Sequence, residues 1–205
     1  MMVLPRLYAI ADAQFGDVAQ IAQSLLQGGA RLIQLRDKSA GAGEFLDRVE
    51  RVLALAPADA RIIVNDRIDV ARISGAAGVH LGQTDLPPAT ARRVLSSEQI
   101  VGFSTHNLQQ ALEADNLPVD YIAVGPIFPT STKQNPDPVV GLEGLASISK
   151  LVHKPIVAIG GIRIENAAEV LNAGAHSIAV IRDLLDSPDI GSRTREWIEN
   201  LQRMN

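Results

Sequence analysis

The chain has 205 residues, of which 46% are hydrophobic and 3% aromatic, and its formal net charge is −4 at pH 7. This length and apolar content suffice for one substantial core, so a single domain over residues 1–205 is expected. The absence of cysteine excludes disulfides and thiolate chemistry. The negative charge and scarce aromatic residues argue against a nucleic-acid surface. No apolar run has the length of a membrane span, so no membrane partner and a cytoplasmic location are expected.

Short apolar runs rich in β-branched residues alternate with amphipathic stretches along the chain. The apolar runs predict buried parallel strands. Apolar residues at helical spacing, such as Val18, Ile21 and Leu25, predict the helices. The predicted strands are 7–11, 31–35, 61–64, 78–81, 100–104, 121–124, 156–159 and 177–181. The predicted helices are 17–27, 43–56, 69–73, 87–95, 107–116, 142–152, 163–172 and 192–202.

Strict alternation of eight strands with eight helices predicts parallel pairing through right-handed crossovers. Eight such units close into a (β/α)8 TIM barrel of the α/β class, near the lower size limit of that fold. An open doubly wound sheet is the competing architecture, and the lack of a long insertion favours the barrel. The active site of such a barrel lies at the carboxyl ends of its strands, so polar residues there are the functional candidates.

Two consecutive predicted strands are each followed by a carboxylate. Asp66 comes just after strand 61–64, and Asp85 comes shortly after strand 78–81. If these strands are parallel neighbours, about 5 Å apart, both carboxylates emerge at one rim. Two hard oxygen ligands with room for water and phosphate suit Mg²⁺. The alternative is that Asp66 and Asp85 cap the helices that follow them.

Cations and neutral polar groups are predicted to gather at the same rim. Alternation along an extended chain places Gln34, Arg36 and Lys38 on one side, and Lys133 lies in the long loop after the sixth strand. Carboxylates beside cations suit a metal and a polyanion such as a diphosphate bound between them. Considered singly, each cation could equally be solvated. The other polar candidates at this rim are Asn65, Gln83, Ser104, Thr105, Thr130, Ser131 and Thr132.

A second anion site is predicted where the seventh and eighth strands end. Gly160–Gly161 precede a helix, and Ile181–Arg182 follow the eighth strand. Barrels often bind phosphate at this place, through backbone N–H groups at a helix N-terminus. The histidines are less informative. His80 is expected to have a structural role, whereas His106 could do acid–base work or begin a helix.

These stretches, in this order, resemble the thiamine phosphate synthase (thiamine-phosphate pyrophosphorylase) family over roughly residues 7–185. The resemblance implies a transferase of thiamine biosynthesis with Mg²⁺ as its cofactor. Its small-molecule partners would be 4-amino-5-hydroxymethyl-2-methylpyrimidine diphosphate and 4-methyl-5-(2-phosphooxyethyl)thiazole, which it joins with release of diphosphate. A homo-oligomer is compatible with the sequence, because barrels commonly self-associate. The matching stretches are Gln34–Lys38, Asn65–Arg67, Gly78–Pro87, Ser104–His106, Gly125–Lys133 and Ala158–Ile162.

The resemblance also implies roles for individual residues. Asp66 and Asp85 would hold Mg²⁺. Arg36, Lys38, Ser104 and Lys133 would be catalytic, the three cations by stabilising the departing diphosphate. Replacing Lys133 by alanine is expected to lower turnover far more than thiazole phosphate binding. The residues implied in substrate binding are Gln34, Leu35, Arg36, Asp37, Lys38, Asn65, Ser104, Thr130, Ser131, Thr132, Lys133, Gly160, Gly161, Ile181 and Arg182.

Two alternatives and one departure accompany this resemblance. A thiazole tautomerase of the same superfamily tends to lose the metal carboxylates, which are present here. A non-catalytic sensor of thiamine precursors would bind both substrates without releasing diphosphate, and the intact charged rim disfavours it. The departure is Arg182, where the family often has serine. A role through the backbone amide would survive this change, whereas a role of the hydroxyl would alter the affinity for the thiazole.

Overall fold

The structure is a computed structural model that describes residues 3–130 and 137–204. Within these residues, eight parallel strands form a closed barrel in chain order, with the first strand paired to the eighth. The predicted (β/α)8 barrel is therefore confirmed. Its strands are β1 (Leu7–Asp12), β2 (Leu32–Arg36), β3 (Arg61–Asn65), β4 (Gly78–Leu81), β5 (Ile100–Thr105), β6 (Tyr121–Val124), β7 (Ile156–Ile159) and β8 (Ser177–Val180).

The helices differ from prediction by up to three residues at their ends and in three further places. A 3-10 turn, Ala13–Phe15, follows β1 directly. The segment predicted as one helix over 163–172 begins with a 3-10 turn, Ile164–Asn166. A short helix follows β8 directly, where the prediction continued the strand to Ile181. The helices of the described residues are α1 (Val18–Gln27), α2 (Ala42–Leu55), α3 (Ile68–Ser74), α4 (Pro88–Val94), α5 (Leu108–Asp115), α6 (Gly141–Ser149), α7 (Ala167–Asn172), α8 (Arg182–Leu185) and α9 (Ile190–Arg203).

The four-residue helix α8 is held by α9. The Asp183 carboxylate accepts hydrogen bonds from Trp197 Nε1 at 2.6 Å and from Arg193 Nη2 at 2.8 Å. A helix this short is not stable alone, because nucleation is costly. Its formation therefore depends on these tertiary contacts, which explains why local periodicity did not predict it.

Apolar side chains form two cores, one on each face of the barrel wall. The outer core packs the helices against the strands, and the inner core fills the barrel with side chains such as Ile10, Leu32, Ile63 and Val157. Because parallel strands are buried on both faces, they appear in the sequence as continuous apolar runs. Above the inner core, towards the carboxyl ends of the strands, polar side chains replace apolar ones, and the cavity described below begins there.

No helix among residues 3–130 and 137–204 combines the length and the apolar character needed to cross a membrane.

Candidate active site

A cavity of about 770 Å³ opens at the carboxyl ends of the strands and extends down between them. Its deeper wall includes inward-facing residues of the barrel such as Ile10, Ala123 and Ala179. Most of the predicted substrate-binding residues that the structure describes lie on this one surface. Those lining the cavity are Gln34, Arg36, Asn65, Ser104, Thr130, Gly160, Gly161, Ile181 and Arg182.

Two predicted binding residues direct their side chains away from the cavity. Leu35 is fully buried in the outer core, because successive side chains of a strand point to opposite faces. The Asp37 carboxylate accepts hydrogen bonds from Ser39 and Arg48. Both side chains therefore serve the packing beside β2. The predicted residues Ser131, Thr132 and Lys133 lie outside the described residues.

Charged side chains gather just after the carboxyl ends of β2, β3 and β4; Arg36 lines the cavity, whereas Lys38, Asp66 and Asp85 are not among its lining residues. Lys38 Nζ lies 3.3 Å from Asp66 Oδ2, and Arg36 forms an ion pair with Asp12, whose side chain is only 1% exposed. Burial and the negative charge of Asp66 raise the pKa of the Asp85 carboxyl, and the positive charge of Lys38 opposes them. The structure thus brings together the two carboxylates and two of the cations that the sequence placed at one rim.

Neither carboxylate caps a helix, so that alternative is wrong. The N-cap residues of α3 and α4 are Arg67 and Pro87, and neither makes a side-chain capping bond. Instead, Asp85 Oδ2 accepts a hydrogen bond from Gly82 N–H at 2.7 Å within its own turn. Asp66 has a left-handed backbone with φ 61°. This conformation costs an L-residue about 1–2 kcal/mol and is typical of functional sites.

The two carboxylates are suited to Mg²⁺ that is also bound by phosphate and water oxygens, and less suited to a metal coordinated by protein ligands alone. The negative charge of Asp66 helps to raise the pKa of the Asp85 carboxyl, so a cation beside the two carboxylates would relieve their repulsion. No group of three or more potential His, Asp or Glu ligands occurs within residues 3–130 and 137–204. Mg²⁺ is commonly held by one or two carboxylates together with phosphate and water oxygens. The two aspartates are therefore suited to a metal that arrives with a diphosphate.

A hydrogen-bonded network crosses the floor of the cavity. The Gln34 Nε2 group donates to Tyr8 Oη at 2.9 Å, and Tyr8 Oη lies 2.9 Å from Tyr121 Oη. His80 continues the network, with Nδ1 2.9 Å from Tyr121 Oη and Nε2 2.8 Å from Ser104 Oγ. Two residues predicted to bind substrate, Gln34 and Ser104, are thus linked through three residues to which sequence analysis assigned no site role.

The tyrosines of this network could have been recognised from one signal. Each occurs in an otherwise apolar strand, and a buried tyrosine hydroxyl nearly always finds a hydrogen-bond partner. Gly102 of β5 makes room for the second of them. A Cβ added there would lie 2.0 Å from the Tyr121 ring, so the ring occupies the space that any larger residue would fill.

The glycine pair at the end of β7 positions the loop that follows β6. Gly160 and Gly161 have φ 102° and 65°, which glycine adopts without strain. A Cβ on either would approach Pro126 or Pro129 to 2.6 Å, and Gly160 C=O accepts a hydrogen bond from Phe128 N–H at 3.0 Å. The pair therefore lines the cavity and also permits close packing of the loop.

Arg182 begins α8, directly after β8, and lines the cavity. Its guanidinium lies 5.5 Å from the centre of the Phe15 ring and 3.5 Å from Asp186 Oδ2. Its side chain is 49% exposed. Ile181 and Arg182 both line the cavity, and a cationic side chain at this position leaves the backbone amides of the turn in place.

Comparisons with known proteins show similarity in sequence and fold to one family. The family described as thiamine monophosphate synthase matches residues 7–184. The thiamine-phosphate synthase of Koribacter versatilis is 48% identical over 205 residues, covering 97% of this chain and 96% of the relative. That of Shouchella clausii is 44% identical, with 96% of each chain covered. The solved structure of thiamine phosphate pyrophosphorylase from Pyrococcus furiosus has a TM-score of 0.89 at 36% identity, covering 97% of this chain and 96% of that one.

Proposed function

The chain belongs to the thiamine monophosphate synthase family, and we propose that it joins 4-amino-5-hydroxymethyl-2-methylpyrimidine diphosphate to 4-methyl-5-(2-phosphooxyethyl)thiazole. The products are thiamine phosphate and diphosphate. The observation that carries this proposal is that Arg36 lines the cavity, while Lys38, Asp66 and Asp85 interact with one another just after the carboxyl ends of β2, β3 and β4. Cations beside paired carboxylates are suited to a metal-bound diphosphate leaving group.

The β2–β4 side of the cavity would hold the diphosphate. The Asp12 carboxylate pairs with Nη1 of the Arg36 guanidinium. The other N–H groups of this planar guanidinium would then be available for phosphate oxygens. Lys38 would contribute a compact positive charge, and Asp66 and Asp85 would hold Mg²⁺. When bound, this ion would supply charge neutralisation for the departing diphosphate.

The β7–β8 side would hold the thiazole phosphate. Gly160, Gly161, Ile181 and Arg182 line this side of the cavity. Backbone N–H groups recognise phosphate without a cationic side chain. Thr130 lies at the same cavity and would add a hydroxyl. Anchoring the two substrates by phosphates at opposite sides would place the thiazole nitrogen against the reacting carbon of the pyrimidine, an orientation effect worth several orders of magnitude in rate.

Catalysis of this reaction requires stabilisation of the charge on the leaving group more than it requires a general base. The bond between the pyrimidine methylene and the diphosphate oxygen breaks first, and both electrons leave with the diphosphate. The thiazole nitrogen then donates its lone pair to the resulting pyrimidine-stabilised cation. No proton is removed in either step, so preorganised positive charge at the leaving group is the main requirement. Arg36 and Lys38 would stabilise the charge on the leaving group.

A two-product assay tests the proposal. Purified protein is mixed with the pyrimidine diphosphate, the thiazole phosphate and Mg²⁺, and thiamine phosphate and diphosphate are measured together. We expect equal amounts of both products, and none after EDTA is added. Interconversion of thiazole tautomers without diphosphate release would identify a tautomerase instead. Binding of both substrates without either product would identify a sensor.

A further inference from the structure

The network on the floor of the cavity consists of groups that are almost inaccessible to water. Tyr8 is 1% exposed, Tyr121 0%, Gln34 3% and His80 8%. Burial raises the pKa of both tyrosine hydroxyls well above the ordinary value, so each keeps its proton at neutral pH. Each hydroxyl therefore has one proton to donate, and each buried donor needs an acceptor.

The Gln34 amide sets the direction of these hydrogen bonds. Its Nε2 group can only donate, so Tyr8 Oη accepts from it. The Tyr8 proton is then directed to Tyr121 Oη, which lies 2.9 Å away. Having accepted this bond, the Tyr121 hydroxyl donates to His80 Nδ1. An imidazole nitrogen that accepts carries no proton, so the proton of a neutral His80 ring lies on Nε2.

The opposite direction would leave a buried proton without an acceptor. If His80 Nδ1 donated to Tyr121 and Tyr121 donated to Tyr8, then Tyr8 Oη would receive two hydrogen bonds. Its own proton would have no further acceptor among the described residues. A buried hydroxyl in that state is strongly disfavoured. The arrangement that starts from Gln34 satisfies every member of the network.

We propose that His80 is a positioning residue, held by Tyr121 as the neutral tautomer protonated at Nε2, which donates to Ser104 Oγ and so directs the Ser104 hydroxyl proton into the cavity. Ser104 would then present a donor, selecting an aromatic ligand with a ring-nitrogen acceptor at that point. The identity of this ligand as the pyrimidine diphosphate rests on the proposed function. The tautomer of His80 rests on the geometry alone.

The tautomer can be measured directly in the unmodified protein. Long-range ¹H–¹⁵N correlation NMR distinguishes the two neutral tautomers and the charged ring for each of the four histidines. The His80 signals are assigned from their contact with the Tyr121 ring, which is stacked on the imidazole with centroids 5.6 Å apart. We expect protonation at Nε2 and an unprotonated Nδ1. Protonation at Nδ1, a tautomer mixture or a charged ring would overturn the proposal.

A matched pair of variants tests the part played by Tyr121. Tyr121→Phe and Tyr8→Phe each remove one buried hydroxyl, but only the first removes the bond to His80 Nδ1. In Tyr121→Phe we expect a mixture of tautomers and a rise of about tenfold in KM for the pyrimidine diphosphate, the effect of one lost hydrogen bond. KM for the thiazole phosphate should stay constant. Tyr8→Phe should keep the Nε2-protonated ring, because the buried Tyr121 proton still needs an acceptor and His80 Nδ1 remains beside it.

The outcomes separate this inference from the proposed function. Equal rises in KM for both substrates, or an unchanged tautomer in Tyr121→Phe, would overturn the positioning role. An Nε2-protonated His80 in a protein that makes no thiamine phosphate would overturn the proposed function and leave the tautomer standing. An active synthase whose His80 is protonated at Nδ1 would do the reverse.

Discussion

The floor and the rim of the cavity hold their polar groups in different ways. At the floor, neutral groups are buried and bonded to one another at 2.8–2.9 Å. At the rim, Lys38 and Asp66 are charged, with side chains 60% and 24% exposed. An exposed ion pair contributes only about 0–1 kcal/mol, whereas a buried network has one satisfied arrangement. The floor is therefore preorganised. The side chains of the rim would be held in place mainly by the bound metal ion and polyanion.

The largest effect is expected at the rim. Replacing Asp85 by asparagine removes a proposed metal ligand with little change of shape, and kcat/KM should fall by a factor on the order of 100 or more. Asp59→Asn is the control, because Asp59 is exposed and pairs with Arg31, away from the cavity. Steady-state kinetics at fixed Mg²⁺ measures both. Equal losses in the two variants would contradict the role of Asp85.

At the floor, a single added methyl group should be strongly destabilising. The Cβ of Gly102→Ala would overlap the Tyr121 ring, and overpacking of this kind lowers the free energy of unfolding by about 3 kcal/mol. Gly43→Ala is the matched control, because a Cβ at Gly43 meets nothing within 4 Å. Urea denaturation compares the two. An equal free energy of unfolding for Gly102→Ala and Gly43→Ala would contradict this expectation and would show that the Tyr121 ring can move to accommodate the methyl group.

Strain at the rim can be separated from charge by two variants of one residue. Asp66→Gly and Asp66→Ala both remove the carboxylate, but only alanine retains a side chain at φ 61°. The glycine variant should therefore be more stable than the alanine variant by about 1 kcal/mol. Chemical denaturation of both proteins tests this. Greater stability of the alanine variant would mean that the left-handed backbone is not strained.

The smallest effect concerns Asp37, which lies beside the rim but faces away from the cavity. Burial alone would raise the pKa of its carboxyl, yet hydrogen bonds from Ser39 and Ala40 and the charge of Arg48 lower it below the ordinary 3.8. Because the folded-state pKa is depressed, the stabilisation is complete above about pH 4 and is lost as the pH falls through the folded pKa. Asp37→Asn should lower the free energy of unfolding by about 1 kcal/mol at pH 7.

The measurement for Asp37 is denaturation of wild type and variant between pH 7 and pH 2. The difference in the free energy of unfolding should shrink at the acidic end, because protonation of Asp37 leaves an uncharged side chain in the wild type as well. A difference that stays constant over this range would contradict the stabilising role of the ionised carboxylate.

The sequence predicted the rim more completely than the floor. Arg36, Asn65 and Ser104 follow apolar runs at the carboxyl ends of strands, and parallel pairing brings all such ends to one side of a barrel. Asp66 and Asp85 were placed correctly at this rim, although local pattern could not separate a metal ligand from a helix cap. In the structure the N-cap residues of α3 and α4 are Arg67 and Pro87, so neither aspartate caps a helix.

The floor could not be predicted in the same way. Because both faces of a parallel strand are buried, polarity does not show which face points into the barrel. Leu35 was assigned to substrate binding by the resemblance alone, whereas alternation along the strand separates it from Gln34 and Arg36. Tyr8 and Tyr121 are 113 residues apart in the chain, and nothing local connects them.

By itself, the sequence determined the alternation of strands and helices, and with it the edge of the barrel where the polar residues gather, because hydrophobic periodicity acts over a few residues. Only the tertiary structure decided which side chains meet across the interior. Closure of the barrel brings β1, β4 and β6 to face one another, and the space above Gly102 admits the Tyr121 ring. The hydrogen bonds from Gln34 to Ser104 follow from that closure, since the bonds of Tyr121 to Tyr8 and to His80 join strands that are not neighbours in the sheet.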